Sequence, residues 1–319
     1  MLPQQQLDMR HTVGHSPWHW EDGTQHEKIG NLAALQAKIA QGGGLGGGPE
    51  LVSPREERFA ARAAALFQRD GFVCLRDALT PEQTAALASR VDQNLAEIFR
   101  AGDPNGGAKG AWRYAFGSLS KTGSCLHMPE WAHLVGLPAV DAVLTEVWGS
   151  KDFVLYMGGG DFVLPGSEYQ PLHSDLGDAS KNEIDSVSAL LTDILPLDAP
   201  EKPGKCYTRS PGFFDPSHQL TIMDLPTPVI NVHFTTFDWT HQCGPLRIVP
   251  GTQRSRAMIP ALSEEPDWMK LGGMLCPLPA GTAIIRDVRT WHGGCPNVGD
   301  IPRAMPSTNY VSAFISNHA

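Results

Sequence analysis

The chain has 319 residues, enough for one large domain with appendages or for two small ones. A formal net charge of −9 argues against nucleic acid or an anionic membrane as the main partner, and 18% charged with 41% hydrophobic residues is typical of a soluble globular protein. No apolar run approaches the roughly 20 residues that span a bilayer. Six scattered cysteines without a C-x-x-C pair argue against a disulfide framework or zinc knuckle and favour a reducing cytoplasm.

The N-terminal residues are polar and lead into a run of glycines. Residues 1–41 end in "NLAALQAKIA", which predicts a short helix, and "GGGLGGG" at 42–48 is typical of a flexible linker. We expect residues 1–48 to form an extension that serves as a lid or as the arm of a homodimer, and residues 49–319 to form a single domain. Irregular spacing among tryptophans favours a packing segment over a second metal site for four histidines of the extension, which are His11, His15, His19 and His26.

Two helices are predicted after the linker, with the short strand "FVCL" between them. The first, in "SPREERFAARAAALFQRDG", has Ser53 and Pro54 in capping positions and ends at Gly71. The second, in "TPEQTAALASRVDQNLAEIFRAG", begins at a capping box made by Thr80 and Gln83.

The character of the chain changes after Gly107, where short apolar segments are separated by Gly, Pro, Asn and Asp. These segments are "FVLYMG", "DFVLPG", "SVSALLTDIL", "VINVHFTTF", "LRIVPG", "TAIIRDV" and "TNYVSAFI". Because helices do not alternate with them, we predict an antiparallel sandwich or jelly roll. The Pro- and Gly-rich stretch near 196–220 is expected to be either a functional lid or a disordered insertion.

The segment "QPLHSD" at 170–175 carries the first candidate metal ligands. In a strand, His173 and Asp175 project from the same side. A second candidate segment, "GTAIIRDVRTWHGGCPNVGDIPR", leads from a predicted strand into His292. Two imidazoles and one carboxylate on barrel strands make the facial triad that suits non-haem Fe(II), with the opposite face open for co-substrate and O₂. Zinc in a hydrolytic site would accept the same three groups.

Arg303 follows His292 on the returning segment. A guanidinium beside a metal ligand can hold a carboxylate in a bidentate pair, which suits the distal end of 2-oxoglutarate. An ordinary salt-bridged arginine is the alternative.

Four segments in order, from Phe67 to Arg303, resemble the phytanoyl-CoA dioxygenase (PhyH) family of Fe(II)/2-oxoglutarate-dependent oxygenases. "FQRDGFVCLRDALTPEQTAAL" resembles the opening helix–strand–helix of the family, and "QPLHSD" resembles its Q-x-x-H-x-D motif. "HQCGPLRIVPGTQR" is similar to its "NGPLRVVPGSH" turn, and "WHGGCPNVGDIPR" to its distal His–Asn–Arg segment.

The resemblance implies a mainly β protein with flanking helices and a double-stranded β-helix (jelly roll, cupin-like) core. It implies Fe(II) bound by His173, Asp175 and His292, with 2-oxoglutarate and O₂ as co-substrates. Arg303 would bind the distal carboxylate of 2-oxoglutarate. Gln170 would lie near the co-substrate or substrate, or would bond a loop backbone.

The implied reaction oxidises a C–H bond of a small-molecule metabolite and yields succinate and CO₂. Halogenating relatives have a small residue at the carboxylate position, so Asp175 favours hydroxylation, desaturation or ring closure. The rival hypotheses are a metal-dependent enzyme that does not use 2-oxoglutarate and a non-catalytic binding barrel.

One departure from the family is Gly294, where relatives often have a hydroxyl residue that contacts 2-oxoglutarate. The substrate-pocket candidates fall into two groups. Arg113 and Tyr114 are predicted on a loop before the barrel. The other candidates, for which core packing is the alternative, are Tyr169, His233, Phe237, Trp239 and Trp291.

Overall fold

The structure is a computed structural model that describes residues 48–100, 112–117, 123–176 and 223–316. The predicted N-terminal extension before residue 48, the segment "SVSALLTDIL" and the stretch 196–220 therefore lie outside the described residues. Over the four described ranges, no helix combines the length and the apolar composition that crossing a membrane requires.

The described residues form nine β-strands. Their bounds are β1 Leu51–Val52, β2 Phe72–Leu75, β3 Arg113–Gly117, β4 Val154–Val163, β5 Val229–Phe234, β6 Leu246–Ile248, β7 Ala283–Asp287, β8 His292–Gly294 and β9 Arg303–Val311. The helices are α1 Phe59–Asp70, α2 Pro81–Arg100, α3 Pro129–Ala132, α4 Pro138–Trp148, α5 Asp267–Lys270 and α6 Ala313–Ser316, with a 3₁₀ turn at Cys125–His127.

The strands form a large and a small sheet. The large sheet has the order β1-β2-β7-β5-β9-β4-β3 and is antiparallel except between β1 and β2. The small sheet pairs β6 with β8, and residues 170–175 run along β8 through a bridge between His173 and His292. Two sheets that are antiparallel apart from the β1–β2 pair, with helices outside, confirm the prediction of a jelly-roll core with flanking helices.

Side chains of the large sheet alternate between two cores. On β2, Val73 and Leu75 pack among the residues of α1, α2 and α4, whereas Phe72 and Cys74 pack against the small sheet. The same alternation holds on β7, where Ile285 faces the helices and Ile284 faces the small sheet. We call these the outer and inner faces; the inner face is the one that can contribute to a site between the sheets.

Helix α1 confirms one predicted boundary and corrects the other. It ends at Gly71, whose φ of 82° provides the left-handed C-cap that was expected. It begins at Phe59 and not at the predicted Ser53 and Pro54, because Arg58 adopts a left-handed φ of 56° and interrupts the helical path. The Ser53 hydroxyl instead accepts a hydrogen bond from the Arg55 amide within the preceding turn.

Two further predictions for the region after Gly107 are wrong, and one helix there was not predicted. Helix α4 interrupts the run of strands, and its Pro138 start and Gly149 C-cap are signals that the sequence did contain. The segments "FVLYMG" and "DFVLPG" form the single strand β4, which has a register shift between Leu155 and Met157. Arg113 lies on β3 and not on a loop, since β3 pairs along its whole length with β4.

Helix α2 begins at the predicted capping box. The Gln83 amide donates to the Thr80 hydroxyl, and the Thr80 amide donates to the side-chain oxygen of Gln83. We therefore expect Thr80→Ala to lower the free energy of unfolding by about 1 kcal/mol, measured by urea denaturation. Thr80→Ser keeps the acceptor and should retain most of that stability; an equal loss in both variants would contradict the capping role.

Candidate metal centre

Three candidate metal ligands converge between the two sheets. The Asp175 Oδ1 atom lies 3.6 Å from His173 Nε2 and 3.5 Å from His292 Nε2. One potential ligand atom from each residue lies within 4.8 Å of the other two. Two imidazole nitrogens and a carboxylate oxygen at this separation form a three-sided cluster that could hold a single divalent cation.

Backbone pairing brings the two histidines together. His173 and His292 are direct antiparallel partners, and each amide donates to the carbonyl of the other at 2.9 Å. Directly opposed residues project from the same face, so the two rings lie with their centroids 4.3 Å apart. The Asp175 amide then bonds the Val288 carbonyl, which keeps Asp175 on the same side two residues further on.

The histidine rings are oriented for binding through Nε2. The Nδ1 atom of His173 lies 3.1 Å from the Pro171 carbonyl, and that of His292 lies 2.9 Å from the Thr290 carbonyl. A carbonyl can only accept, so the Nδ1 of His173 carries the proton and its Nε2 presents a lone pair towards Asp175. The Nδ1 of His292 also lies 3.1 Å from Arg286 Nη1, which can only donate, so its contacts do not assign the proton to one nitrogen. Burial, reinforced by the neighbouring Arg286 cation, lowers the pKa of His292 to about 4, which keeps this ring neutral at pH 7.

Arg286 holds the other oxygen of the carboxylate. Its Nη2 atom donates to Asp175 Oδ2 at 2.6 Å, while Oδ1 remains directed at the imidazoles. Burial by itself would raise the pKa of Asp175, but His292 and Arg286 hold it well below its usual range. Sequence reasoning missed Arg286; its signal was a charged residue inside the apolar strand "TAIIRDV", which the structure buries to 1% exposure.

Arg303 lies on β9 and is also buried. Its Nε and Nη2 atoms donate to the Gly244 carbonyl at 3.0 and 2.8 Å, and its guanidinium stacks 5.0 Å from the Trp239 ring centroid. Its Nη1 atom has no hydrogen-bond partner among the described residues. The side chain is thus held in place on one edge while a donor on the other edge is left for a ligand.

A cleft with a cavity volume of about 60 Å³ joins the three ligands to Arg303. Of the residues that the sequence suggested, it also contains Gln170, Arg113 and His233. Polar lining residues that the sequence analysis missed are Asp161, Asn231 and Arg286. The Gln170 side-chain oxygen accepts from the Gly294 amide at 3.1 Å, so the backbone-bonding alternative for this residue is realised.

His233 is an inner-face residue of β5 with both ring nitrogens free of partners among the described residues. Burial, with Arg286 and His292 as further causes, lowers its pKa well below the usual value, so the ring is neutral. It therefore adds hydrogen-bonding capacity to the cleft without adding charge.

Five other pocket candidates do not line this cleft, among them Trp239, which packs in the inner core against the Arg303 guanidinium. Tyr114 lies on the outer face of β3 among the helices, and its ring meets that of Phe99 edge to face at 5.5 Å. Alternation along the strand explains the error, because the inner-face position belongs to its neighbour Arg113. The rest pack in the core as the alternative interpretation had it: Trp291 beside Leu172 and Val249, Phe237 against the inner core, and Tyr169 under the Arg247 guanidinium.

Comparisons with known proteins agree with this architecture. Residues 212–305 match the sequence profile of the family described as Phytanoyl-CoA dioxygenase (PhyH). No curated protein has a significant sequence match to the chain.

Two solved structures from nogalamycin biosynthesis are similar in fold. The non-haem alpha-ketoglutarate-dependent epimerase SnoN matches with a TM-score of 0.52 and 16% identity over 81% of this chain and 82% of its own. The non-haem alpha-ketoglutarate-dependent carbocyclase SnoK matches with a TM-score of 0.50 and 16% identity over 84% of this chain and 88% of its own. SnoN has also been crystallised with Fe³⁺, alpha-ketoglutarate and nogalamycin RO, and that structure matches with a TM-score of 0.51 and 17% identity over 81% of this chain and 85% of its own.

The matched profile runs through β5 to the start of β9 and so includes His292 and Arg303. The donor set beside it, two imidazoles and a carboxylate, fits ferrous iron. Part of this chain, residues 212–305, thus matches the phytanoyl-CoA dioxygenase family, and the fold is similar to that of two non-haem alpha-ketoglutarate-dependent enzymes.

Proposed function

We propose that this protein is a non-haem iron oxygenase that depends on 2-oxoglutarate and hydroxylates a C–H bond of a small-molecule metabolite, with succinate and CO₂ as co-products. Ferrous iron would be held by His173, Asp175 and His292, and Arg303 would bind the distal carboxylate of 2-oxoglutarate. The proposal depends on one observation: the three ligand atoms and the Nη1 donor of Arg303, which has no partner among the described residues, lie in the same cleft.

When bound, the iron would couple oxidative decarboxylation of 2-oxoglutarate by O₂ to removal of hydrogen from the substrate. The protein would supply geometry and charge. The Pro171 carbonyl would fix the tautomer of His173, and Arg286 limits Asp175 to one free oxygen. Arg286 is already paired with Asp175, whereas the buried Arg113 and Arg303 favour an anionic co-substrate, because a buried cation without its own counter-ion is costly.

Hydroxylation is the finer part of the proposal. Its support is Asp175, since a carboxylate ligand occupies the position that relatives leave open to a halide. SnoN and SnoK are described as an epimerase and a carbocyclase, so stereochemical inversion and ring closure are alternative outcomes of the same hydrogen removal.

The class of reaction can be tested without knowing the substrate. We expect the Fe(II)-loaded protein to release succinate slowly from 2-oxoglutarate in air, and the Zn(II)-loaded protein to release none. Succinate would be measured by chromatography with O₂ uptake followed in parallel. If the iron-loaded protein neither binds nor consumes 2-oxoglutarate, a hydrolytic or non-catalytic barrel replaces the proposal.

To determine how the substrate is changed, a substrate must first be found by a metabolite screen in which stimulated succinate release is measured. Hydroxylation would add one oxygen atom that derives from ¹⁸O₂, whereas desaturation or ring closure would remove two hydrogens. Epimerisation would leave the mass unchanged. Only the first result agrees with the proposal.

A further inference from the structure

The Arg113 guanidinium occupies the space in the cleft that a side chain at position 294 would need. An ideal Cβ at Gly294 would lie 2.1 Å from Arg113 Nη1, a distance that requires the guanidinium to move. Gly294 has no positive φ, so its backbone does not require glycine. It lies two residues after His292 on β8 and therefore faces the same side as that candidate ligand. The missing side chain leaves room for Arg113.

The sheet register places Arg113 beside Arg303. Arg113 pairs with Val163 on β4, and Val163 pairs with Arg303 on β9. The three residues form one row across neighbouring strands and share the inner face, so the two arginine Cα atoms are about 10 Å apart. Both guanidinium groups line the same cleft, with the smaller valine between them.

Arg113 is anchored on one side and open on the other, as Arg303 is. Its Nη2 atom donates to the carbonyls of Glu168 and Cys295 at 2.5 and 2.9 Å. Its Nη1 atom occupies the space where a side chain at Gly294 would begin. Each arginine therefore keeps a donor edge towards the cleft.

The charge of this corner is unbalanced in the described residues. Burial, with Arg303 as the second cause, lowers the pKa of Arg113 to about 10, so the guanidinium is still charged at pH 7. Asp161 lies on the same face two residues before Val163, and its carboxylate stabilises both cations. One carboxylate cannot neutralise two buried guanidinium groups, and a second anion would complete the balance.

We propose that Arg113 is a second binding residue for the distal carboxylate of 2-oxoglutarate, which it shares with Arg303, and that Gly294 is the position that admits it. The inference rests on the proposed function, since it names a contact of the same co-substrate. It assigns Arg113 to binding of the co-substrate and no longer to the substrate pocket. It also explains why residue 294 is a glycine where relatives often have a hydroxyl residue. The contact that a hydroxyl at 294 provides in relatives would come here from a strand distant in sequence.

The test measures binding of two keto acids to the anaerobic Fe(II)-loaded full chain by calorimetry. Arg113→Met should weaken 2-oxoglutarate binding about 10- to 100-fold, the loss of one charge-assisted hydrogen bond. Binding of 2-oxopentanoate, which lacks the distal carboxylate, should change by less than about twofold, as should the affinity for Fe(II) itself. The second ligand is the control for folding, because a misfolded site would lose both acids together.

A double-mutant cycle tests the shared space. Gly294→Ala should weaken 2-oxoglutarate binding in the wild-type background because it displaces Arg113, and should cause no further loss when combined with Arg113→Met. Equal effects of Gly294→Ala in both backgrounds would overturn the role of Gly294. Unchanged 2-oxoglutarate affinity in Arg113→Met, or equal loss of both acids, would overturn the role of Arg113. An unmodified protein that binds Fe(II) but no 2-oxoglutarate would instead refute the proposed function.

Discussion

Replacing His292 with alanine is expected to lower uncoupled succinate release by about three orders of magnitude. The variant loses one of three ligand atoms, and the remaining pair, His173 and Asp175, would bind iron weakly in a cleft that also contains buried cations. The cause of the loss should be weaker metal binding. Calorimetric titration with Fe(II) under anaerobic conditions should therefore show a large fall in affinity.

His133 provides a matched control for this experiment. It is an exposed histidine at the end of α3 and is not one of the three candidate ligands. His133→Ala should therefore bind iron and release succinate as the wild type does. The same substitution at His173 should reproduce the His292 result. Iron affinity that is unchanged in both His173→Ala and His292→Ala would refute the metal centre.

Replacing Arg303 with methionine is expected to weaken binding of 2-oxoglutarate about 100-fold, with little change in iron affinity. Its free Nη1 donor is the group assigned to the distal carboxylate, and a buried carboxylate without its cation is strongly disfavoured. The effect should fall on the KM for 2-oxoglutarate more than on kcat, because the guanidinium does not contact the reacting end of the molecule.

Arg303 also bonds the Gly244 carbonyl and stacks on Trp239, so a structural defect must be separated from lost recognition. Arg303→Lys keeps the charge and should retain part of the affinity, and 2-oxopentanoate should bind the wild type and Arg303→Met equally. Arg69→Met, at an exposed helix end, is the control for loss of an arginine. A parallel loss for both keto acids in Arg303→Met would contradict the assignment.

Local sequence patterns alone correctly predicted two candidate metal ligands on one side of the chain and several helix ends. The spacing of His173 and Asp175 places both on one side of an extended segment because side chains alternate along a strand. Thr80, Gln83 and Gly71 mark helix ends through bonds and dihedral angles confined to a few neighbouring residues. These features need no knowledge of distant parts of the chain.

The residues that contact the candidate metal ligands and Arg113 could be identified only from the folded sheets. Arg286 reaches Asp175 across 111 positions of sequence, and Arg113 reaches the Cys295 carbonyl across 182. Which of two adjacent residues faces the cleft, Arg113 or Tyr114, depends on the register of β3 against β4. Strand register is set by hydrogen bonds and packing between distant segments, so no local pattern of residues contains it, and the cations around the candidate iron centre become visible only once the strands are paired.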